Sequence, residues 1–137
     1  MWWVYALLSA FFAALTAVFG KIGVKNVDSD LANAIRTVVI VFLAWGIVLF
    51  KGAHTSVQQL TRQNTLFLVL SGIATGLSWI FYYKALQVGK VAQVAPVDKL
   101  SIAFAILLSV LFLGESLTLK EGIGILLILA GVFIIVW

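Results

Sequence analysis

Five long apolar segments separated by short polar ones dominate the pattern of this sequence. They run from Trp2 to Gly20, from Leu31 to Phe50, from Thr65 to Tyr83, from Val91 to Leu113 and from Gly122 to Trp137. Each is close to the length of about 20 residues that an α-helix needs to cross a bilayer. The pattern therefore predicts an all-α membrane protein with five transmembrane helices. Among the connections, only Lys51 to Asn64 is long enough to be a clearly solvated loop.

Composition supports a membrane protein and excludes several other classes. Hydrophobic residues make up 64% of the chain and charged residues 10%, too few to give a soluble domain of this size a polar surface. No linker divides the chain, so we expect one domain over residues 1–137. The first segment follows no positively charged region and has no small-residue cleavage site, so we expect it to be a spanning helix and not a removable signal. Without cysteine, disulfides and thiolate metal sites are excluded. The net charge of +4 contains no basic run, which favours the lipid bilayer over nucleic acid as partner.

Aromatic residues suited to the membrane interface lie at the ends of the segments. They are Trp2, Trp3, Tyr82, Tyr83 and Trp137. Tryptophan and tyrosine are enriched where a bilayer meets water. We therefore expect these rings to lie in interfacial belts.

One helix start carries a specific signal. In the stretch SLTLKEG, Thr118 precedes Glu121 by three residues, which is the spacing of a capping box that satisfies exposed amides at a helix start. We therefore assign Glu121 to the cap of the fifth helix and Glu115 to the loop before it. Neither acid is expected to be catalytic.

Small and hydroxyl-bearing residues form stripes on two helices. The hydroxyl stripe of the third segment consists of Ser71, Thr75, Ser78 and Tyr82. Small residues four positions apart are Gly72 and Gly76 in the third segment, with Ser9, Ala13 and Ala17 in the first. Such small residues let helices approach closely in lipid, so we expect Gly72, Gly76, Ala13 and Ala17 to pack against other helices. The hydroxyl stripe fits packing and cavity lining equally well.

The fourth segment carries a proline and two charges near its middle, in VAPVDKLS. If its helix begins at Val91, Asp98 lies some 10 Å inside it, where an unpaired ion costs about 2.5 to 3.5 kcal/mol. A cost of that size favours a functional role. In the alternative, Pro96 is the first helical residue, Asp98 lies in the first turn and Lys99 extends to the headgroups. The apolar residues before Pro96 favour the first interpretation, with Pro96 breaking a helix that lines a cavity.

Other ionisable residues are expected at the same end of the helices. Five crossings place Lys21, Arg36, Lys84, Asp98 and Lys99 in one polar vestibule, in which Asp98 is the lone acid. Arg36 lies about 8 Å inside the second helix. Pairing with Asp98 would lower the desolvation cost of both groups. Alternatively, Arg36 and Lys84 merely extend to the headgroups.

Three stretches resemble one repeat of the EamA-type transporters of the drug/metabolite transporter superfamily. They are YYKAL, VAPVDKLS and FLGESLTLKEGIGILLILAGVFII. The resemblance implies a five-helix repeat, and common members carry two such repeats in inverted orientation. Because the second repeat is missing here, it implies that another chain completes the carrier. An antiparallel homodimer is the first expectation, and a heterodimer with a related repeat is the other.

The same resemblance implies a secondary transporter that moves a small metabolite or drug by alternating access, in a prokaryotic inner membrane. Its expected coupling group is Asp98, with proton or ion coupling, and Ser101 lies on the same helix face. Candidate anion partners are Lys99, Lys84 and Arg36, and Trp79 and Tyr82 form an apolar or cation–π wall. An accessory membrane subunit without transport activity, or a component of a lipid flippase, is the alternative.

Enzymatic chemistry ranks below both alternatives. The single histidine, His54, lies in the solvated loop with no acid or nucleophile near it in sequence. No G-x-x-x-x-G-K-[ST] motif is present, so direct use of ATP is not expected. We expect no metal and no cofactor.

Positive charges on the two membrane faces are nearly balanced. One face is expected to carry Lys51, Arg62 and Lys120, and the other Lys21, Lys25, Lys84 and Lys90. The positive-inside rule fixes orientation by an excess of such charges in short loops. Because three against four is a small excess, we expect insertion in both orientations.

Overall fold

The computed structural model describes residues 1–136, which form helices and no strand. The long helices are α1 (Trp2–Gly23), α2 (Ser29–Phe50) and α3 (Arg62–Val88), with the shorter α4 (Val91–Asp98), α5 (Ser101–Leu108) and α6 (Leu119–Val136). A 3-10 helix, Ala53–Gln59, lies within the expected solvated loop, and a π-helical turn, Ser109–Leu113, follows α5. Five spans, with α4 to the π-turn counted as one, are long and apolar enough to cross a membrane. The all-α architecture with five spans is thereby confirmed. Trp137 lies outside the described residues.

The helices fall into two compact units along the chain. Unit 1 is Met1–Val88 and contains α1 to α3, whereas unit 2 begins at Gly89 and contains α4 to α6. The expectation of one domain over residues 1–137 stays a prediction.

Side chains of unit 1 are buried where α1 ends, α2 begins and α3 ends. The buried residues of this unit are Ala17, Gly20, Val24, Ser29, Asn33, Tyr83 and Leu86. Away from that end, large apolar side chains such as Phe11, Phe42 and Phe67 are mostly exposed. Lipid is as apolar as these side chains, so their exposure carries little cost in a bilayer. The three helices of unit 1 are therefore packed together mainly at this end.

Gly20 lets α1 approach α3 closely. A Cβ atom at Gly20 would lie 3.3 Å from both the Tyr83 hydroxyl oxygen and the Leu86 Cδ1 atom. Tyr83 is only 4% exposed, so its expected place in an interfacial belt is wrong. The reason is that its ring packs against a glycine one helix away, which the position of Tyr83 at a segment end does not reveal.

Gly20→Leu should lower the free energy of unfolding by about 1 to 3 kcal/mol, because the added side chain would overpack the contact with Tyr83 and Leu86. Gly23→Leu is the matched control, since no neighbouring atom lies within 4 Å of a Cβ there. Denaturation of the purified protein in detergent, followed by circular dichroism, would measure the difference. Equal stability of the two variants would contradict the close packing at Gly20.

The connection between α1 and α2 is held by local polar contacts. Asn26 adopts a φ of +60°, a left-handed conformation that asparagine tolerates better than most residues. Asp28 is the N-cap of α2, and its side chain accepts bonds from the amides of Asp30 and Leu31, both at 3.0 Å. These contacts determine where α2 begins. They therefore also determine the position of Arg36, which lies two helical turns after the first residue of α2.

The fourth span of the chain is interrupted inside unit 2. Its first helix begins at Val91, as in the first of the two interpretations, but Pro96 lies inside that helix instead of breaking it. After Asp98 the amides of Lys99 and Leu100 donate to the carbonyls of Pro96 and Val97, each at 3.0 Å. These bonds reach back three residues instead of four, which is the tighter 3-10 pattern. The break between α4 and α5 thus lies immediately after Asp98.

The end of this span and the start of α6 follow the sequence signals. Gly114 ends the π-turn with a φ of +68°, a conformation that suits glycine. The Thr118 amide donates to Glu121 Oε2 at 2.9 Å, and the Glu121 amide donates to Thr118 Oγ1 at 3.3 Å. The predicted capping box is confirmed, and Glu115 lies in the loop as expected.

Candidate functional site

The Arg36 guanidinium of unit 1 is held against two aromatic rings of α3. Its Cζ atom lies 3.5 Å from the Trp79 ring centroid and 5.5 Å from that of Tyr83. Arg36 Nη1 also donates to Asn33 Oδ1 at 3.4 Å. Trp79 and Tyr83 are four residues apart and so share one face of α3, as Asn33 and Arg36 share one face of α2. Helical spacing on both sides thus builds a cation–π site.

An open cleft of about 560 Å³ adjoins this cation–π site. Its lining residues come from α1, α2, α3 and the turn after α1: Thr16, Phe19, Gly20, Gly23, Val27, Ala32, Ile35, Arg36, Val39, Ile40 and Tyr83. Most of the lining surface is apolar. Arg36 is the one charged side chain among the described residues that line it. The cleft therefore combines apolar walls with a single fixed positive charge.

Both acids of unit 1 are engaged elsewhere. Asp28 caps α2, and Asp30 Oδ2 lies 3.3 Å from Lys84 Nζ. Because both side chains of that ion pair are about half exposed, the pair contributes at most about 1 kcal/mol to stability. The expectation that Asp98 is the lone acid near these cations is wrong, since Asp30 lies beside Lys84. Its place in the first turn of α2, where acids are favoured, was the available sequence signal.

Lys21 and Gln87 form hydrogen bonds that connect helix ends within unit 1. Lys21 Nζ donates to the carbonyl oxygen of Leu86 at 2.6 Å, and Gln87 Nε2 donates to that of Val27 at 2.8 Å. Carbonyls at a helix C-terminus lack partners within the helix, and a lysine there also complements the helix dipole. In unit 1 Lys21 therefore has a structural role.

Asp98 of unit 2 is the last residue of α4. Its Oδ2 atom lies 3.2 Å from Nζ of the adjacent Lys99, and its side chain is 35% exposed. A carboxylate at a helix C-terminus faces the negative end of the dipole, and no side chain caps α5. The alternative that places Asp98 in the first turn of a helix starting at Pro96 is wrong, because α4 begins at Val91. Its local role is therefore limited to the contact with Lys99.

The remaining candidates are distributed over both units. Trp79 contacts Tyr82 edge to face, with ring centroids 5.3 Å apart. Ser101 is the first residue of α5 and is exposed. Because Arg36 lies in unit 1 and Asp98 in unit 2, their pairing stays a prediction. Sequence reasoning missed Asn33 and the packing role of Tyr83, although both lie within helical spacing of predicted site residues.

Only some of the small residues that are expected to pack against other helices do so among the described residues. Ala17 is buried, whereas Ala13 is exposed. No atom lies within 4 Å of a Cβ built at Gly72 or Gly76. The face of α3 that bears these glycines can therefore accept another helix, and its role in packing stays a prediction.

The fold and the site define a helical membrane protein with a partly polar, interrupted span. Residues 1–137 match the EamA-like transporter family. The chain belongs to that family and is an integral membrane transporter. Membership of this family points to a transporter rather than to an enzyme.

Two relatives extend this result. An uncharacterized transporter in the cobO 3' region of Sinorhizobium sp is 48% identical over 134 residues, which cover 98% of this chain and 95% of the relative. An uncharacterized protein of Methanocaldococcus jannaschii is 29% identical over 133 residues, covering 96% and 93% of the two chains. Each relative thus has little length beyond the five helices matched here. No solved structure matches.

Proposed function

We propose that this chain forms half of a secondary active transporter for a small metabolite or drug. The observation that carries the proposal is the break directly after Asp98 in a span otherwise suited to a bilayer. In secondary carriers, discontinuous helices supply binding sites near the midplane, and broken backbone at membrane depth is tolerated where it lines a cavity. Asp98 would be the coupling group, exchanging its bond to Lys99 for a proton or substrate.

The second half of the carrier would come from another copy of the chain. Inverted-repeat carriers place oppositely oriented halves around a central site and alternate access between them. The relatives, which hold little beyond one five-helix repeat, support an antiparallel homodimer. A related repeat in a heterodimer would satisfy the same need. The bacterial and archaeal sources of these relatives support a prokaryotic inner membrane.

Gly72→Leu tests whether function depends on a dimer. Among the described residues outside the adjoining turns of α3, no atom lies within 4 Å of a Cβ at Gly72. A leucine there would block close approach of a second helix. We expect at least about a tenfold weaker dimer, with uptake into proteoliposomes falling in parallel, because 1.4 kcal/mol corresponds to tenfold in association. Subunit counting by single-molecule photobleaching would measure assembly in the same vesicles.

Gly46→Leu is the matched control, because Gly46 is equally open but lies on α2. A fully dimeric Gly72→Leu variant would contradict the proposed packing of a second helix at Gly72 on α3. Uptake by a monomeric wild-type protein would contradict the proposal that one chain forms only half of the transporter. Lipid scrambling or binding to another membrane protein, without uptake of any solute, would favour the flippase component or the accessory subunit.

A further inference from the structure

The Arg36 guanidinium carries unused hydrogen-bonding capacity. A guanidinium has five N–H donors, and its one hydrogen bond within unit 1 goes from Nη1 to Asn33 at 3.4 Å. No carboxylate of that unit pairs with it, since Asp28 caps α2 and Asp30 pairs with Lys84. Arg36 is also about 10 Å along α2 from Ser29, inside a segment suited to span a bilayer. Charged side chains in such segments are costly and usually functional.

Two contacts within unit 1 restrain the Arg36 guanidinium. Its Cζ atom lies 3.5 Å from the Trp79 ring centroid, and its Nη1 donates to Asn33 Oδ1. An arginine fixed in this way offers its remaining edge to a planar, bidentate anion. Lysine, a point charge on a flexible stem, would lack this directional preference.

We propose that the cleft beside Arg36 binds a small organic carboxylate with an apolar body. This inference rests on the proposed function, for which it names the substrate class. The carboxylate would bind the guanidinium, and the aromatic or aliphatic body would lie against apolar walls such as Phe19, Ile35 and Val39. A volume of about 560 Å³ lies within the range of small-molecule sites, about 300 to 1,000 Å³.

The distribution of charge also favours an anion over a cation. Unit 1 holds six lysine and arginine residues and two acids, whereas unit 2 holds three of each. The formal net charge of +4 therefore belongs entirely to the unit that contains the cleft. A cationic ligand would meet Arg36 without a neighbouring carboxylate in the lining, whereas an anion would gain from the local potential.

The test compares naphthoic acid with naphthamide, which have the same ring body but differ in charge. Quenching of tryptophan fluorescence, checked by calorimetry, would measure binding to the purified protein in nanodiscs of zwitterionic lipid. We expect the wild type to bind the acid at least about tenfold more tightly than the amide, since bonds to charged groups contribute more than neutral ones. Arg36→Gln should remove this preference.

Two further variants keep the proposal falsifiable. Arg62→Gln removes the same charge from the first residue of α3, outside the cleft, and should retain the tenfold preference. Asn33→Asp would place a carboxylate next to Arg36 and should reduce the preference for the acid over the amide. Since calorimetry requires no particular fluorophore, loss of the Trp79 signal would not be mistaken for loss of binding.

Three outcomes would overturn the inference: equal binding of acid and amide by the wild type, a charge preference that survives Arg36→Gln, and loss of binding when the nanodiscs contain anionic lipid. The last outcome would identify a lipid headgroup as the anion at Arg36. If the protein takes up solutes but binds the acid and the amide equally, the carboxylate inference is contradicted and the proposed transporter function is not. Selective binding with no uptake would contradict the carrier instead.

Discussion

Asp98→Asn is expected to abolish uphill accumulation of substrate while leaving assembly and downhill exchange in place. An aspartate carboxylate can bind and release a proton, and an asparagine amide of nearly the same shape cannot. A coupled carrier uses such a group to link the movement of an ion to that of the substrate. The variant would therefore equilibrate its substrate but no longer concentrate it.

The position of Asp98 explains why this effect should be large. The carboxylate lies at the C-terminus of α4, where the helix dipole disfavours it, and its ion pair with Lys99 is between sequence neighbours. The partly exposed side chain can exchange that partner for a proton without dismantling a buried network. Because the hydrogen-bonded partner of Asp98 within unit 2 is its sequence neighbour Lys99, the loss of charge should leave the fold intact.

Proteoliposomes with an imposed proton gradient would measure accumulation, and counterflow without a gradient would measure exchange. Glu115→Gln is the matched control, since it removes a carboxylate from the exposed loop before α6. Unchanged accumulation by Asp98→Asn would exclude this carboxylate as the coupling group. Loss of counterflow as well would assign it to substrate binding.

A reporter fused to the carboxyl terminus is expected to give signal on both sides of the membrane. The reason is that the positive charges near the span ends are expected to be nearly balanced, three on one face and four on the other. Orientation follows the excess of lysine and arginine near the span ends. An antiparallel homodimer also requires chains of both orientations, so dual insertion and the proposed assembly depend on the same balance.

Paired fusions to alkaline phosphatase and green fluorescent protein would measure the two populations. Lys51→Gln combined with Arg62→Gln removes two charges from one face and should shift the chains to a single orientation. Lys25→Gln, which makes the count three against three, is the control and should retain both. Signal confined to one side for the wild type would exclude the antiparallel homodimer and leave a heterodimer with a related repeat.

Local signals in the sequence predicted the parts of the structure that depend on local physics. The capping box of Thr118 and Glu121 formed because its partners are one helical turn apart. Pro96 lacks an amide donor, but it lies inside α4, and the interruption follows Asp98, where the backbone changes to 3-10 bonds. By contrast, the ion pair of Asp30 with Lys84 joins two helices, and no spacing along the chain identifies it.

By itself, the sequence determined the class of the protein, because a bilayer forces long apolar segments to satisfy their backbone within helices. Tertiary structure decided which polar residues meet, and here it placed Arg36 on Trp79, buried Tyr83 beside Gly20 and left Gly72 open. The physical reason is that helix association in lipid depends on shape and close packing, not on apolar burial. Two helices of equal hydropathy can therefore pack against different partners, because their surface shapes differ and hydropathy does not describe shape.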